Sequence, residues 1–227
     1  MRQRSRSERI SAVATLAEPV RRALYDHVAA SDSPVGRDAA AAALGLRRST
    51  AAFHLDRLAA QGLLDVEYRR LGGRTGPGAG RPAKLYRRPD DEVAVSVPER
   101  EYDLVGRLLA GAIEESSRLH TPVGTALTGL ARQTGRDIGA RSGSLLAALD
   151  DHGFEPTHVR GGEVVLRNCP FHRLAGDFTA LVCGLNLDLL SGVAEGAHDR
   201  EHLLVLDPIP GRCCVRVLPA DGGRQPV

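Results

Sequence analysis

Residues that bind soft metals are clustered in the C-terminal half of the chain. Cys169 and His172 stand in NCPFH, Cys183 follows in LVCGLN, and Cys213 and Cys214 are adjacent in GRCCVRV. Iron–sulfur clusters are held mainly by Cys thiolates, with His replacing Cys in some, and zinc takes four ligands of this kind. Cys169, Cys183 and Cys213 are therefore candidate ligands, with His172 as a candidate fourth ligand and Cys214 as an alternative to Cys213.

The spacing leaves several interpretations of these residues open. Zinc ribbons use paired C-x2-C turns, which the separation of Cys169 and Cys183 does not provide, so an iron–sulfur cluster is favoured over zinc. Free cysteines are also common in apolar cores, where they need no ligand. A nucleophilic pair of Cys169 and His172 would need an orienting third group and an oxyanion site, and the sequence shows neither. We therefore predict that the chain is not an enzyme.

The elements that must position these residues form an α+β pattern. Helical periodicity covers 98–118, 123–139, 142–151 and the apolar segment LAGDFTALVCGLNLDLLSGVA, while EVVLRN, HLLVLDP and CCVRVLP are typical of strands. If the last strand pairs near the first, the cysteines converge at one end of the sheet. Strand alternation places Cys213 on the same face as Val215 and Val217, the predicted inner face, and turns Cys214 away from it.

The N-terminal half has the element order of a winged helix-turn-helix. A helix over 11–30 and an Ala-rich helix ending at Gly45 precede a third helix, RRSTAAFHLDRLAAQGLL, which ends at Gly62. Two short strands, LLDVEYRR and AKLYRR, flank a Gly- and Pro-rich segment that we interpret as the wing. We predict a disordered basic arm at 1–10, a DNA-binding domain at 11–92, and an α+β sensor and dimerisation domain at 93–227.

Charge is divided unequally between the two halves of the 227-residue chain. Residues 1–89 hold 17 Lys and Arg against 8 Asp and Glu, whereas residues 90–227 hold 13 against 20. A basic half joined to an acidic half indicates that one part meets a polyanion. The basic N-terminal segment lacks the apolar stretch of a secretory signal, and no apolar run is long enough to span a bilayer. We predict a cytoplasmic protein without membrane contact.

The third helix is the predicted recognition helix, which enters the major groove of DNA. Ala51, Leu55 and Leu58 are predicted to face the core, so the opposite side is left for DNA. The side chains predicted to reach base edges are Arg48, Ser49, Thr50, Phe53 and His54, and Arg57 is better placed for phosphate. In the wing, Arg74, Arg81 and Lys84 belong to a basic stretch without acidic residues, which favours phosphate and minor-groove contact.

The segment STAAFHLDRLAAQGLL resembles ArsR-type winged-helix regulators, and that resemblance covers about residues 11–89. With NCPFH and LVCGLN added, the whole chain resembles the SufR-type iron–sulfur-sensing repressors. The resemblance implies three cysteine ligands for an iron–sulfur cluster, which fall on Cys169, Cys183 and one member of the pair Cys213 and Cys214. It does not fix the fourth ligand.

These observations together predict a homodimeric transcriptional regulator, most simply a repressor, that binds a double-stranded DNA operator. The helix at 98–118 is the candidate dimer element. The iron–sulfur cluster would control operator affinity. One alternative is a winged-helix repressor that senses a small organic ligand or another metal such as zinc, with cysteines that only fill the core. Another is an enzyme or scaffold that does not bind DNA.

Overall fold

The computed structural model describes residues 4–70, 82–208 and 212–220. The chain divides into two compact units, Met1–Val95 and Ser96–Val227. Helices and antiparallel sheets make up both units, so the fold class is α+β, as predicted. None of the described helices is both long enough and apolar enough to cross a membrane.

The first unit consists of four helices and a three-stranded antiparallel sheet. The helices are α1 (Arg6–Thr15), α2 (Pro19–Ala29), α3 (Arg37–Ala43) and α4 (Arg48–Ala60). The strands are β1 (Val35–Gly36), β2 (Asp65–Arg69) and β3 (Ala83–Arg87), in the order β1-β3-β2. This is the helix and strand order of a winged helix. The sequence did not predict β1, because two residues are too few to show an alternating pattern.

The start of the first unit differs from the prediction. Helix α1 begins at Arg6, so the predicted disordered arm at 1–10 is wrong from that residue onward. The reason is a capping box, in which the Glu8 amide donates to Ser5 Oγ and the Ser5 amide donates to the Glu8 carboxylate. The predicted single helix over 11–30 is also divided. Glu18 caps α2 and Pro19 occupies its first turn, where a missing amide proton costs nothing.

The second unit packs five helices with a four-stranded antiparallel sheet. The helices are α5 (Tyr102–Leu119), α6 (Val123–Ser142), α7 (Leu145–Asp151), α8 (His172–Asp177) and α9 (Thr179–Gly196). The strands are β4 (Pro156–His158), β5 (Val164–Leu166), β6 (His202–Leu206) and β7 (Val215–Pro219), in the order β4-β5-β7-β6. The predicted first and last strands, β5 and β7, are therefore neighbours in the sheet.

Three boundaries in the second unit differ from the prediction. Helix α5 begins at Tyr102 rather than at Pro98, which lies in the segment before it. The apolar segment predicted as one buried helix is two helices that meet at Phe178. Strand β7 begins at Val215, so Cys213 and Cys214 precede the strand instead of opening it.

Helices α6 and α9 pack backbone against backbone along a seam of glycines. A Cβ atom added at Gly135 or Gly139 would lie 2.0 or 2.1 Å from a carbonyl oxygen of α9. Added at Gly192 or Gly196, it would lie 2.2 or 2.1 Å from a carbonyl oxygen of α6. Because only glycine fits at such distances, these four positions fix α9, which carries Cys183, against α6.

Candidate DNA interface and cysteine site

The recognition helix α4 follows α3 through a short turn. Gly45 in this turn has a φ of +63°, a left-handed conformation that glycine adopts without strain. Ala51, Leu55 and Leu58 are completely buried, which confirms the predicted inner face of α4. The helix therefore presents its opposite side outward, and the early residues Arg48 and Ser49 are exposed there.

Phe53 is exposed on the outer side of α4. Its side chain keeps 64% of its surface accessible, although a large aromatic residue normally buries most of its area. The structure thus excludes packing of Phe53 into the core of this unit. An exposed ring at this place on a recognition helix can contact a thymine methyl group.

Arg48 and His54 have partners within the first unit. Arg48 Nε donates to Asp38 Oδ1 at 2.5 Å, but both side chains are largely exposed, and such ion pairs are worth about 1 kcal/mol or less. Arg48 can therefore exchange Asp38 for a base or phosphate. The His54 ring is mostly covered, and its Nδ1 lies 3.6 Å from Glu18 Oε2. His54 faces the start of α2 more than it faces solvent.

Lys84 belongs to an ionic network that joins the wing strand to the recognition helix. Asp56 Oδ1 accepts hydrogen bonds from Lys84 Nζ and from the Tyr86 hydroxyl, both at 2.5 Å. Arg37, at the start of α3, lies 3.7 Å from the same carboxylate and donates to the Tyr86 hydroxyl. Lys84 was predicted to contact DNA, but the structure gives its ammonium group a partner within the protein.

The Asp56 network changes the pKa of its members in a consistent direction. Burial acts to raise the pKa of Asp56, but the hydrogen bonds from Lys84 and Tyr86 outweigh it and hold the pKa below its ordinary value. The hydrogen bond to Asp56 raises the pKa of Lys84. Both groups are therefore charged at neutral pH, and the network is an ion pair supported by a buried tyrosine.

The remaining predicted DNA contacts are divided between described and undescribed parts of the chain. Arg57 is exposed on α4, and Thr50 is half-buried. Arg74 and Arg81 lie outside the described residues.

All four cysteines are buried in the second unit, and all are free thiols. Cys169 follows β5, Cys183 lies in the second turn of α9, and Cys213 and Cys214 precede β7. The antiparallel pairing of β5 with β7 brings the first and the last of these segments together. The pairing therefore brings Cys169 near Cys213 and Cys214, as predicted, but the exposed His172 does not join them.

The position of Cys214 differs from the prediction. The strand alternation that turned Cys214 away does not apply, because β7 begins at Val215, after both cysteines. Cys214 is buried, and Asn186 Nδ2 lies 3.3 Å from Cys213 Sγ and 3.8 Å from Cys214 Sγ. Both members of the vicinal pair thus face the same buried amide.

The four thiols lie close enough to shift one another's pKa values. A bond from the Cys213 thiol lowers the pKa of Cys169, and bonds from Cys213, then Cys183 and Asn186, lower the pKa of Cys214 to about 6. The pKa values of the two donor thiols, Cys183 and Cys213, are raised instead. Burial, followed by the bond to Cys214, raises the pKa of Cys183 to about 12, and the bonds to Cys169 and Cys214 raise the pKa of Cys213. Cys169 and Cys214 are therefore the members that most readily become thiolates.

His172 lies apart from this thiol network. Its side chain is exposed at the first position of α8, and its contact with Cys169 is a backbone hydrogen bond of 3.0 Å. Among the described residues, no three or more His, Cys, Asp or Glu side chains are grouped so as to hold a metal ion. The thiols instead pair with one another.

Two asparagines beside the cysteines were missed by the sequence reasoning. Asn186 is completely buried on the apolar face of α9, and its Oδ1 has no hydrogen-bond partner. Asn168, next to Cys169, is also buried and makes three hydrogen bonds. A polar residue within an apolar helix is a signal that the sequence does contain, because a buried amide requires partners.

Comparison with known proteins gives one match. A family model described as a helix-turn-helix domain matches residues 16–67, which hold α2, α3, α4 and the first part of β2. Searches of curated proteins and of solved structures found no match. The matched residues include the recognition helix and its turn. The N-terminal unit thus contains a helix-turn-helix domain, which supports a DNA-binding transcriptional regulator.

Proposed function

We propose that the chain is a transcriptional repressor whose operator affinity is controlled by an iron–sulfur cluster bound to its buried cysteines. The observation that carries the proposal is the set of four buried free thiols in the unit that follows the winged helix, two of which lie beside the buried amide of Asn186. Four thiolates are the usual ligand set of an iron–sulfur cluster. A regulator of this architecture needs a signal-receiving site outside its DNA-binding unit, and the thiol network is our candidate for it.

The donor set matches a cluster in number and in chemistry, but the side chains are not grouped as metal ligands among the described residues, so binding would require them to rearrange. Cys169, Cys183, Cys213 and Cys214 supply four soft ligands, and Asn186 supplies an amide donor beside two of them. His172 is a weaker candidate for the fourth ligand than it was in the sequence, because its side chain is exposed and Cys214 is buried among the other thiols. When bound, the cluster would supply sensitivity to oxidants and to the iron supply. Zinc is the alternative for the same four thiols.

DNA recognition in this proposal is carried by the outer side of α4. Arg48 and Phe53 would read base edges, Ser49 and Thr50 would reach bases or phosphates, and Arg57 would hold the backbone. The repressor would be a homodimer, because a helix-turn-helix reads two half-sites one helical turn apart. Helix α5 remains the candidate dimer element, and its exposed Ile113 and Leu119 support that role.

A sensor for small organic ligands is the second candidate, and one cavity bears on it. The cavity is lined mainly by apolar side chains of α5, α7 and α9, with Glu101 and His152 among its lining residues. The space inside it is about 10 Å³, which is room for roughly one water molecule. An organic effector would have to open this cavity first, whereas the four buried thiols supply soft ligands for a cluster. We therefore favour the cluster.

Anaerobic reconstitution tests the proposal. Protein purified without oxygen and incubated with iron and sulfide should turn brown, bind iron and sulfide in comparable amounts, and hold them through gel filtration. Serine variants of Cys169, Cys183, Cys213 and Cys214 should each lose most of the bound iron, since a hydroxyl is a poor ligand for a soft cluster. His172→Ala should keep it.

Melting temperatures of the apo variants are the control, because each thiol is also a core residue. A cysteine variant that loses iron while its apo form melts like wild type has lost a ligand. Colourless wild-type protein after reconstitution would mean that the cysteines are only core residues. One equivalent of bound zinc without sulfide would identify zinc as the metal.

A further inference from the structure

The segment that enters the second unit is anchored at the cysteine site. Val93 packs against the core of the winged helix, and only Ala94 and Val95 separate it from Ser96, the first residue of the second unit. Residues 96–101 then run to the start of α5. Only two residues therefore separate Val93, which packs in the first unit, from Ser96, which begins the second unit.

Arg100 ties this segment to the residues around Cys169. Its Nη1 donates to Asn168 Oδ1 at 2.5 Å and to the Cys169 carbonyl at 3.3 Å, and its amide donates to Ser96 Oγ at 2.7 Å. One residue further on, the Glu101 amide donates to the Pro170 carbonyl at 3.3 Å. Asn168, Cys169 and Pro170 form what we call the cysteine loop. All three are therefore hydrogen-bonded to Arg100 or Glu101 of the entering segment.

Asn168 also donates two hydrogen bonds, one of them to the entering segment. Its Nδ2 donates to the Glu99 carbonyl at 3.0 Å and to the Gly153 carbonyl at 2.6 Å. Asn168 and Glu99 are both buried, so these bonds have little competition from water. Gly153 has a φ of +73°, and a Cβ at that position would lie 2.5 Å from Glu99 Cβ. The entering segment therefore has little room to move independently of the cysteine loop.

We infer that Arg100 and Asn168 are positioning residues that transmit the state of the cysteine site to the winged helix through residues 96–101. The inference rests on the proposed function and adds the route by which that site acts. Cys169 would be one of the residues that hold the cluster, and any shift of its backbone on ligation would be passed to Arg100 and Glu101, which are hydrogen-bonded to this loop. Because only Ala94 and Val95 lie between Val93 and Ser96, a shift of this segment would reach the winged helix along the chain. Arg100 donates to the carbonyl of Cys169 and to no thiol, although its charge also helps to lower the pKa of Cys169, so we expect its loss to change coupling more than cluster binding.

The test compares cluster loading with DNA affinity in Arg100→Ala. The probe is a duplex enriched by the wild-type protein from a random-sequence pool, and the measured quantity is the ratio of its Kd with and without the cluster. Wild type should give a ratio of about tenfold or more in either direction, whereas Arg100→Ala should give less than about twofold. The visible spectrum and the iron content of the variant should match wild type.

Arg167→Ala is the matched control, since Arg167 is an exposed arginine one residue before Asn168. It should keep the wild-type ratio. Arg100→Lys, which retains a charged donor, should restore part of the coupling and provides the test if the alanine variant does not fold.

The outcomes distinguish this inference from the proposed function. A wild-type ratio retained in Arg100→Ala, with an intact cluster, overturns the inference and leaves the cluster-controlled repressor standing. A wild-type ratio near one removes the proposed function and this route with it. Loss of iron in Arg100→Ala at an unchanged melting temperature would also overturn the inference, because Arg100 would then act on the cluster itself.

Discussion

At the scale of single residues, Asn186 is the polar group that most directly affects the thiols. Its amide faces both Cys213 and Cys214 from within an apolar helix. Hydrogen bonds to sulfur stabilise the more negative charge state, and they are one of the ways in which a protein sets the potential of an iron–sulfur centre. A buried amide here is therefore expected to adjust the redox behaviour of whatever the thiols bind.

Replacing Asn186 with Leu tests that role. In reconstituted protein the reduction potential of the cluster should fall. The reduced form, which is the more negative one, loses a hydrogen-bond donor that stabilised it, whereas the oxidised form loses less. A hydrogen bond of about 1 kcal/mol corresponds to about 40 mV for a one-electron couple. Leu189→Met, a similar-volume change on the same helix, is the control and should leave the potential unchanged. An unchanged potential in Asn186→Leu would mean that the amide only fills space.

Arg48 is the residue on which DNA sequence preference should depend most. Arg48→Ala should lower the preference for the selected duplex over random DNA by about tenfold, because a bidentate arginine–guanine contact discriminates by about 1–3 kcal/mol. Competition binding at fixed salt measures this ratio. Arg57→Ala, an exposed arginine on the same helix, should weaken both duplexes alike. Equal losses on both duplexes in Arg48→Ala would reduce Arg48 to a phosphate contact.

The residue types of the cysteine site could be predicted from the sequence, but their partners could not. Cys169, Cys183 and Cys213 were identified by type and spacing, and the structure brings them together. Cys214 was turned away because alternation was applied to residues that precede the strand. Lys84 was assigned to DNA because the sequence does not show that Asp56, 28 residues earlier, lies beside it.

At the scale of elements, the helices follow from their periodicity, whereas the shortest pieces do not. Helices α4 and α6 were predicted close to their observed positions, because each repeats its apolar residues over several turns, whereas α9 was predicted as one helix with α8. Strands β1 and β4, of two and three residues, carry no such pattern. The close approach of α6 and α9 also depends on which glycines face one another, and that is decided by the packing of the whole unit.

The glycine seam predicts a large difference between two similar substitutions on α6. Gly139→Ala would place a methyl group 2.1 Å from the Val193 carbonyl oxygen and should lower the free energy of unfolding by about 1–3 kcal/mol or more. Gly129→Ala, where nothing lies within 4 Å, should raise it by up to about 1 kcal/mol. Urea unfolding followed by circular dichroism checks both. A neutral Gly139→Ala would mean that the two helices can separate without cost.

The link between α4 and β3 predicts a dependence on pH. Asp56→Asn should lower the free energy of unfolding at neutral pH by about 1 kcal/mol, a modest figure because the Asp56 side chain is 45% exposed and screened by water. The pKa of Asp56 is below its ordinary value of 3.8, so the unfolded chain binds the proton first as pH falls. The advantage of wild type is therefore complete above that value and disappears as pH falls through the folded pKa.

The control for this prediction is Asp38→Asn, which removes the carboxylate of a largely exposed ion pair with Arg48. It should change the free energy of unfolding by a few tenths of a kcal/mol at most. A difference between Asp56→Asn and wild type that grows on acidification would have the wrong sign for a lowered pKa and would refute the network as described.

At the scale of the whole molecule, the chain joins a basic helix-turn-helix unit to an acidic unit that holds four buried thiols. The charge asymmetry between residues 1–89 and 90–227 was visible in the sequence, and the helix-turn-helix match lies in the basic half. The convergence of the thiols depends on the pairing of β5 with β7, whose register no local pattern specifies. The central claim is that the thiol unit controls the DNA-binding unit.

One titration tests that claim most directly. A single anaerobic preparation is divided, the cluster is removed from one half with a chelator, and both halves are titrated against the selected duplex at the same salt concentration. We predict that the two Kd values differ by about tenfold or more, a coupling of roughly 1.4 kcal/mol. Adding iron and sulfide back should restore the first value. Equal affinities in the presence of a fully loaded cluster, or no bound cluster at all, would contradict the account.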